Sequence, residues 1–376
     1  MSGPHPPAGL GEPAGPALRI YLCIARRPLN NEIKEQVSGS DGTLRSAEST
    51  PTQAKEPATL HKIFIGEDGL RAGWSLLIFV VLVMATGRGA NFILHRLHAP
   101  FLRPGSEISP MMGFVAEGLN LFVVLFLTWI MSRIERRPFS VYGYADKRKL
   151  SRFFAGFGWG IACLSLLVFT LWKSGFLVFD GRRVFGGDVL RYGAVWLVGF
   201  LLVGLAEESF SRGYAQFTLT RGLAGFYRWA FKTRYSVPLA FWTSAMVFSI
   251  LFGLGHSDNP GESPIELLQA GLVGMVFCLS LWRTGSLWWA IGFHTSWDWA
   301  QSFVYGVPDS GLVIQHHLFA AHAVGKPILS GGSTGPEGSI FAVGVMILIS
   351  LIILFTLPRG RYEEPVGVLD ASVPRV

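Results

Sequence analysis

The chain alternates long apolar runs with short polar connections. Eight windows of mostly apolar residues reach about 20 residues, the length an α-helix needs to cross the hydrocarbon core of a bilayer. These windows fall near residues 74–94, 111–132, 153–172, 192–214, 237–256, 264–282, 286–305 and 339–357. The pattern predicts an all-α, polytopic membrane protein with about eight transmembrane helices, held in a lipid bilayer.

Composition supports the membrane class and excludes others. Of the 376 residues, 50% are hydrophobic and only 15% are charged, whereas a soluble domain carries about 25% charged residues. The three cysteines, Cys23, Cys163 and Cys278, are too widely spaced for a disulfide framework or a cysteine zinc site. The net charge is +7, but the basic residues gather in connections beside the helices. We therefore expect no nucleic-acid partner.

The chain divides into a tail, a helical domain and a second tail. Residues 1–59 are rich in Pro, Gly, Ser and Thr, which predicts a disordered N-terminal tail. Residues 60–358 form the predicted transmembrane domain, and 359–376 form a polar C-terminal tail. Seven Lys and Arg lie between Arg133 and Arg152, and five between Arg212 and Arg234. By the positive-inside rule, this distribution predicts a multi-pass protein of the cell membrane with both termini cytoplasmic.

Three of the predicted helices carry ionisable groups at membrane depth, where each charge costs about 2.5–3.5 kcal/mol. They are Glu207, Glu208 and Arg212 in the fourth window, His256 (four residues after Phe252) in the fifth, and His294 with Asp298 in the seventh. Residues four apart share a helix face, so Glu208 and Arg212 are expected to neutralise each other. Adjacent residues diverge by about 100°, so Glu207 must find its partners on another helix.

The other motif residues, of which His294 and Asp298 share one helix face, suggest hydrolytic chemistry. Glu207, His256, His294 and Asp298 provide a general base, two imidazoles and a second carboxylate. Such a set can activate water and stabilise an oxyanion, or it can hold a Zn²⁺ ion that does both. Two other classes stay open: a non-catalytic membrane scaffold that binds a partner peptide, and a proton-coupled transporter. No inverted repeat of hydropathy favours transport.

The order and spacing of three motifs resemble a known family. EESFSR begins at Glu207, FGLGH spans Phe252 to His256, and HTSWD spans His294 to Asp298. Together they are similar to the CAAX protease and bacteriocin-processing family, also called CPBP or Abi proteins, which are intramembrane endopeptidases. The resemblance covers a core of about residues 191–305.

The resemblance implies roles for the motif residues and a peptide or membrane protein as substrate. It implies that Glu207 and His256 position and activate the attacking water, and that His294 and Asp298 support the oxyanion or complete the site. Glu208, Arg212 and Phe252 are the supporting motif residues. The last motif ends in Asp, where eukaryotic relatives have Asn. Asp is a better metal ligand than Asn. We therefore keep the hypothesis that Zn²⁺ or another divalent metal binds at Glu207, His256, His294 and Asp298.

The predicted topology creates one conflict. Glu207 lies towards the inner end of the fourth span, whereas His256 lies at the outer end of the fifth. A shared site therefore requires a helix break, for example at Gly253–Gly255, or spans of unequal length.

Overall fold

The computed structural model describes residues 63–66, 69–96, 107–261, 263–358 and 362. The predicted N-terminal tail, residues 1–59, lies outside the described residues. So does the predicted C-terminal tail, residues 359–376, apart from Tyr362.

Helices dominate the described residues, as the apolar pattern predicts. The α-helices are α1 (Ala72–Arg96), α2 (Pro110–Ile134), α3 (Lys149–Lys173), α4 (Gly187–Glu208), α5 (Gln216–Phe231), α6 (Ser236–Gly255), α7 (Pro264–Thr284), α8 (Trp288–Trp299), α9 (Pro327–Ser330) and α10 (Ile340–Thr356). Two π-helices follow α4 and α8, at Ser209–Ala215 and Ala300–Tyr305. The short strands β1 (Ile65–Gly66) and β2 (Gly69–Leu70) pair antiparallel, as do β3 (Leu177–Arg182) and β4 (Phe319–Ala323).

The all-α polytopic class is confirmed, but the number of spans is about six rather than eight. Among the described residues, six helices are long and apolar enough to cross a membrane. The window at 286–305 contains α8, whose 12 residues give way to a π-helix. The window at 339–357 contains α10, which has 17 residues. Hydropathy alone overcounted, because it does not show where a helix stops.

One helix is much longer than its apolar window. The segment from α4 through the first π-helix to α5 forms a continuous helical span of 45 residues, Gly187–Phe231. Helix α6 then folds back along α5, where the Tyr227 and Thr243 hydroxyl oxygens lie 3.1 Å apart. The end of α6 reaches the π-helix, and the Phe252 ring centroid lies 4.5 Å from Arg212 Cζ.

This length removes the conflict between Glu207 and His256. The predicted fourth span ended at residue 214, whereas the real helix continues to Phe231 and α6 returns along its second half. The end of α6 therefore lies beside the middle of the long helix, close to the motif glutamates. Helix α6 runs without a break to Gly255, and His256 caps it.

Small residues place α8 at the centre of the bundle. A Cβ on Gly160 of α3 would lie 2.6 Å from the Phe293 carbonyl oxygen, and a Cβ on Gly204 of α4 would lie 3.0 Å from Thr295 Oγ1. Only glycine permits this approach of α3 and α4 to α8. The same contacts bring the third motif against the first.

The connection 306–338 packs over the end of the bundle that contains His256. The Gly311 amide donates to the Thr334 carbonyl oxygen at 2.9 Å, and Thr334 Oγ1 donates to the Gly261 carbonyl oxygen at 3.3 Å. A further backbone bond of 2.7 Å joins Ile108 to Val313. These contacts tie the connection to the α6–α7 turn and to the start of α2.

Candidate active site

The first motif lies at a change of helix type. Glu207 and Glu208 are the last residues of α4, and the π-helix begins at Ser209. The second π-helix begins at Ala300, two residues after Asp298. Single-turn π segments inside α-helices occur frequently at functional sites, because they reorient side chains over a short distance.

Glu208 and Arg212 form the predicted ion pair. Arg212 Nη1 lies 2.8 Å from Glu208 Oε1, and the two side chains are 2% and 0% exposed. The guanidinium also faces the rings of Phe252, at 4.5 Å, and Phe277, at 5.5 Å. A cation over an aromatic face is stabilised by the ring quadrupole. Phe252 of the second motif therefore packs directly on the arginine of the first.

His294 lies between three carboxylates. Its Nδ1 is 3.3 Å from Glu208 Oε1, and its Nε2 is 3.4 Å from Asp298 Oδ2 and 3.8 Å from Glu207 Oε2. A protonated imidazole donates from both ring nitrogens, so His294 can donate to carboxylates on both sides of its ring at once. Glu207 thus finds its partner on another helix, as expected.

His256 approaches the site from the end of α6. Its Nδ1 lies 2.7 Å from the Phe252 carbonyl oxygen. Because a carbonyl oxygen only accepts, Nδ1 carries the proton, and Nε2 is an acceptor when the ring is neutral. None of the ion pairs found among the described residues involves His256.

A cavity of about 650 Å³ joins the three motifs. Its lining includes Glu207, His256, His294 and Asp298, which come from three different helices. The pair Glu208–Arg212 lies behind the lining rather than in it. The structure therefore brings the four predicted catalytic residues to one cavity, with their supporting pair alongside.

The hypothesis of a metal at these four residues stays a prediction. Within the described part of the chain, no group of three or more His, Cys, Asp or Glu side chains is arranged to hold a metal ion. His256 donates from Nδ1 to a backbone carbonyl, which leaves Nε2 as the nitrogen able to bind a metal, and two carboxylates lie near Nε2 of His294. We assign no chemical step to a metal.

Several polar residues of the cavity were not predicted from the sequence. They are Glu117 on α2, Glu266 and Gln269 at the start of α7, and Asp309 and Glu337 in the connection 306–338. No motif spacing relates them to one another. The signals at sequence level are Glu117, a charge within the second apolar window, and Glu266, an acid in the first turn of a helix, which is also a common capping preference.

Asp309 and Glu337 lie next to each other and outside the spans. Ser302 Oγ donates to Asp309 Oδ2 at 3.2 Å, and the Ser310 amide donates to Glu337 Oε1 at 2.7 Å. Gln301 Nε2 donates to Glu337 Oε2. Burial raises the pKa of Asp309 to about 6, against a smaller lowering by His294. Burial, and then the charge of Asp309, hold the pKa of Glu337 well above its usual value.

Comparison with known proteins places the motif region in a family. Residues 190–300 match the family model described as Rce1-like, type II CAAX prenyl endopeptidase. The matched range contains all three motifs and agrees with the expected core of about 191–305. No curated protein and no solved structure matched the chain. The chain is thus a multi-pass membrane protein whose residues 190–300 match the model of the Rce1-like CAAX protease family.

Proposed function

We propose that this protein is an intramembrane endopeptidase that hydrolyses a peptide bond in a peptide or membrane-protein substrate. The observation that carries the proposal is that Glu207, His256, His294 and Asp298 line one cavity within an apolar helix bundle. Ionisable groups at membrane depth are costly unless they share a polar site with a function. We further propose that the protein lies in the cell membrane with both termini in the cytoplasm.

Glu207 is the carboxylate best suited to act as general base. Its side chain is 32% exposed, whereas those of Asp298 and Glu208 are 9% and 0% exposed. Its Oε2 has no hydrogen-bond partner among the described residues. It can therefore accept a proton from a water molecule in the cavity. His256 Nε2 is the second acceptor that orients this water.

The proposed hydrolysis needs only the substrate, one water molecule and these side chains. As Glu207 takes the proton, the water oxygen bonds to the carbonyl carbon of the substrate, and the carbonyl oxygen becomes an oxyanion. His294 donates to this oxyanion from Nε2, while Asp298 stabilises the charged imidazole. Glu207 then passes its proton to the amide nitrogen as the C–N bond breaks. The products are a carboxylic acid and an amine.

The proposal is tested with purified protein in liposomes and a library of membrane-proximal peptides. Wild-type protein should cleave at least one peptide, and Glu207→Gln should lower kcat by roughly 10²–10⁴-fold, the usual contribution of a general base. Asp188→Asn is the matched control, because its side chain is 59% exposed and lies outside the cavity lining. Full activity in correctly folded Glu207→Gln would rule out this base.

The same experiment addresses the scaffold alternative. A non-catalytic scaffold would bind a peptide in the cavity and release it intact. Stable binding by wild type and by Glu207→Gln alike, with no cleavage of any library member, would therefore favour the scaffold over the endopeptidase.

A further inference from the structure

Three carboxylates that hydrolysis does not use lie together at one end of the cavity. They are Glu266, Asp309 and Glu337, and we name them the acidic wall. Ser310 follows Asp309 in the chain, and its amide donates to Glu337 Oε1 at 2.7 Å. This hydrogen bond brings Asp309 and Glu337 together. A Cβ on Gly338 would lie 2.6 Å from Glu266 Oε1, so Glu266 packs against the residue that follows Glu337.

Two buried acceptors at this end lack donors. Glu266 is 7% exposed and Gln269 is 4% exposed, and both line the cavity. Within the described residues, neither Glu266 Oε2 nor Gln269 Oε1 has a hydrogen-bond partner. The Gln269 amide is held in place, since Nε2 donates to the Ser339 carbonyl oxygen at 3.1 Å. Buried acceptors normally have partners, so these oxygens indicate a ligand that brings N–H donors.

Acidic groups outnumber basic groups in the whole lining of the cavity. Its ionisable groups are six carboxylates, at Glu117, Glu207, Glu266, Asp298, Asp309 and Glu337, and two imidazoles. No Lys or Arg is among the described residues that line the cavity. A cleft lined by one sign of charge concentrates ligands of the opposite sign.

We propose that the acidic wall binds the side chain of a lysine or arginine of the substrate peptide. The inference rests on the proposed function and adds a substrate class to it: peptides with a basic residue near the scissile bond. Ammonium and guanidinium groups are all donor, which suits a site made of acceptors. The apolar remainder of the lining suits the long hydrocarbon stem of these side chains. A metal ion suits it less, because the described residues hold no group arranged as three or more ligands.

The first measurement changes the peptide rather than the protein. One cleaved peptide is made with arginine or its neutral isostere citrulline at each position in turn, and with lysine or acetyl-lysine as a second pair. At one position near the cleaved bond, kcat/KM should be higher for the charged peptide of each pair than for the neutral one. The difference should be on the order of 10-fold, which is the lower end of the coupling measured for buried charge pairs. The difference should lie mainly in KM, because the wall contacts a side chain remote from the reacting atoms.

The second measurement tests whether the acidic wall causes the preference for a basic residue. Asp309→Asn and Glu266→Gln keep the shape of the side chain and remove its charge, so each should move the arginine-to-citrulline ratio towards one. Asp188→Asn makes the same charge change outside the cavity and should leave the ratio unchanged. If a wall variant does not fold, the isosteric peptides on wild-type protein still decide the question.

Binding to the Glu207→Gln variant separates this inference from the proposed function. Cleavage by wild type with equal kcat/KM for charged and neutral peptides would overturn the basic-residue preference and leave the endopeptidase intact. Tighter binding of the arginine peptide by the variant, with no cleavage of any peptide by wild type, would support the wall and overturn the endopeptidase. Equal binding of both members of every pair would overturn the inference.

Discussion

The ion pair between Glu208 and Arg212 should behave as one buried unit. Replacing Arg212 with methionine leaves the Glu208 carboxylate at 0% exposure, with His294 Nδ1, 3.3 Å away, as its one remaining ion-pair partner among the described residues. Breaking a buried pair from one side typically costs about 3–5 kcal/mol of stability. Because His294 partly compensates, we expect Arg212→Met to cost about 3 kcal/mol, near the lower limit of that range. The lost contact with Phe252 adds about 0.5–2 kcal/mol.

The double variant gives the sharper test. Glu208→Gln should cost about 1–3 kcal/mol, because an amide oxygen can still accept from the arginine. Glu208→Gln combined with Arg212→Met removes both charges, so its loss of stability should be smaller than the sum of the single losses. Unfolding by SDS titration in mixed micelles, followed by tryptophan fluorescence, measures all four proteins. Strict additivity, or an Arg212→Met protein as stable as wild type, would show that the charges are not coupled.

Three further outcomes follow from packing, burial and donor geometry. Gly160→Ala should lower the free energy of unfolding by about 1–3 kcal/mol, because its Cβ would meet the Phe293 carbonyl oxygen. Gly158→Ala is the control, because its Cβ would meet nothing within 4 Å. Equal unfolding midpoints for the two variants would contradict the close packing. The unfolded chain releases the Asp309 proton near pH 3.8 and the folded chain at about 6, so stability should fall as pH rises through that window, by about 3 kcal/mol. Asp309→Asn should make this fall smaller and leave the part due to Glu337, and an unchanged pH profile of unfolding would disprove the assignment. The water-activation chemistry of Glu207 predicts that cleavage survives exhaustive chelation; one metal per chain by elemental analysis, lost together with activity, would support the metal hypothesis instead.

The sequence predicted two side-chain pairs better than it predicted the helices that carry them. Four-residue spacing is a local property of a helix, so it predicts that Glu208 shares a face with Arg212 and His294 shares a face with Asp298, and both pairs are in contact in the structure. The convergence of three motifs was predictable because each isolated charge in the membrane needs compensation.

The extent of the long helix was not predictable from hydropathy. Its second half contains Arg221, which lies beyond the end of the predicted window at residue 214. In the folded protein, Arg221 Nη2 lies 3.6 Å from Glu135 Oε1, which also accepts from Tyr214 Oη at 2.7 Å. The partner carboxylate lies 86 positions earlier in the chain. The hydropathy of a local window cannot show that a charge is buried against a partner so distant in the sequence.

The residues of the acidic wall were missed for the same reason. Asp309 and Glu337 lie in a polar connection, where acidic residues ordinarily face water. They line the cavity because the connection 306–338 is tied to the α6–α7 turn through Thr334 and Gly261. A fold of this kind turns loop residues into cavity residues without changing their local sequence.

The two π-helices affect how the candidate site would respond to a change of chain length. In a π-helix each N–H bonds five residues back rather than four, so each segment holds one residue more than the same turns of α-helix would. Because the wider turn absorbs that residue, α4 and α5 keep nearly the angular phase of an uninterrupted α-helix. Deleting one residue from Ser209–Ala215 would therefore let the segment relax to α and leave the two flanking helices in phase, whereas a deletion within α4 would rotate one side against the other by about 100°. The effect of a deletion in the π segment would be confined to the side chains of that segment, among them Arg212.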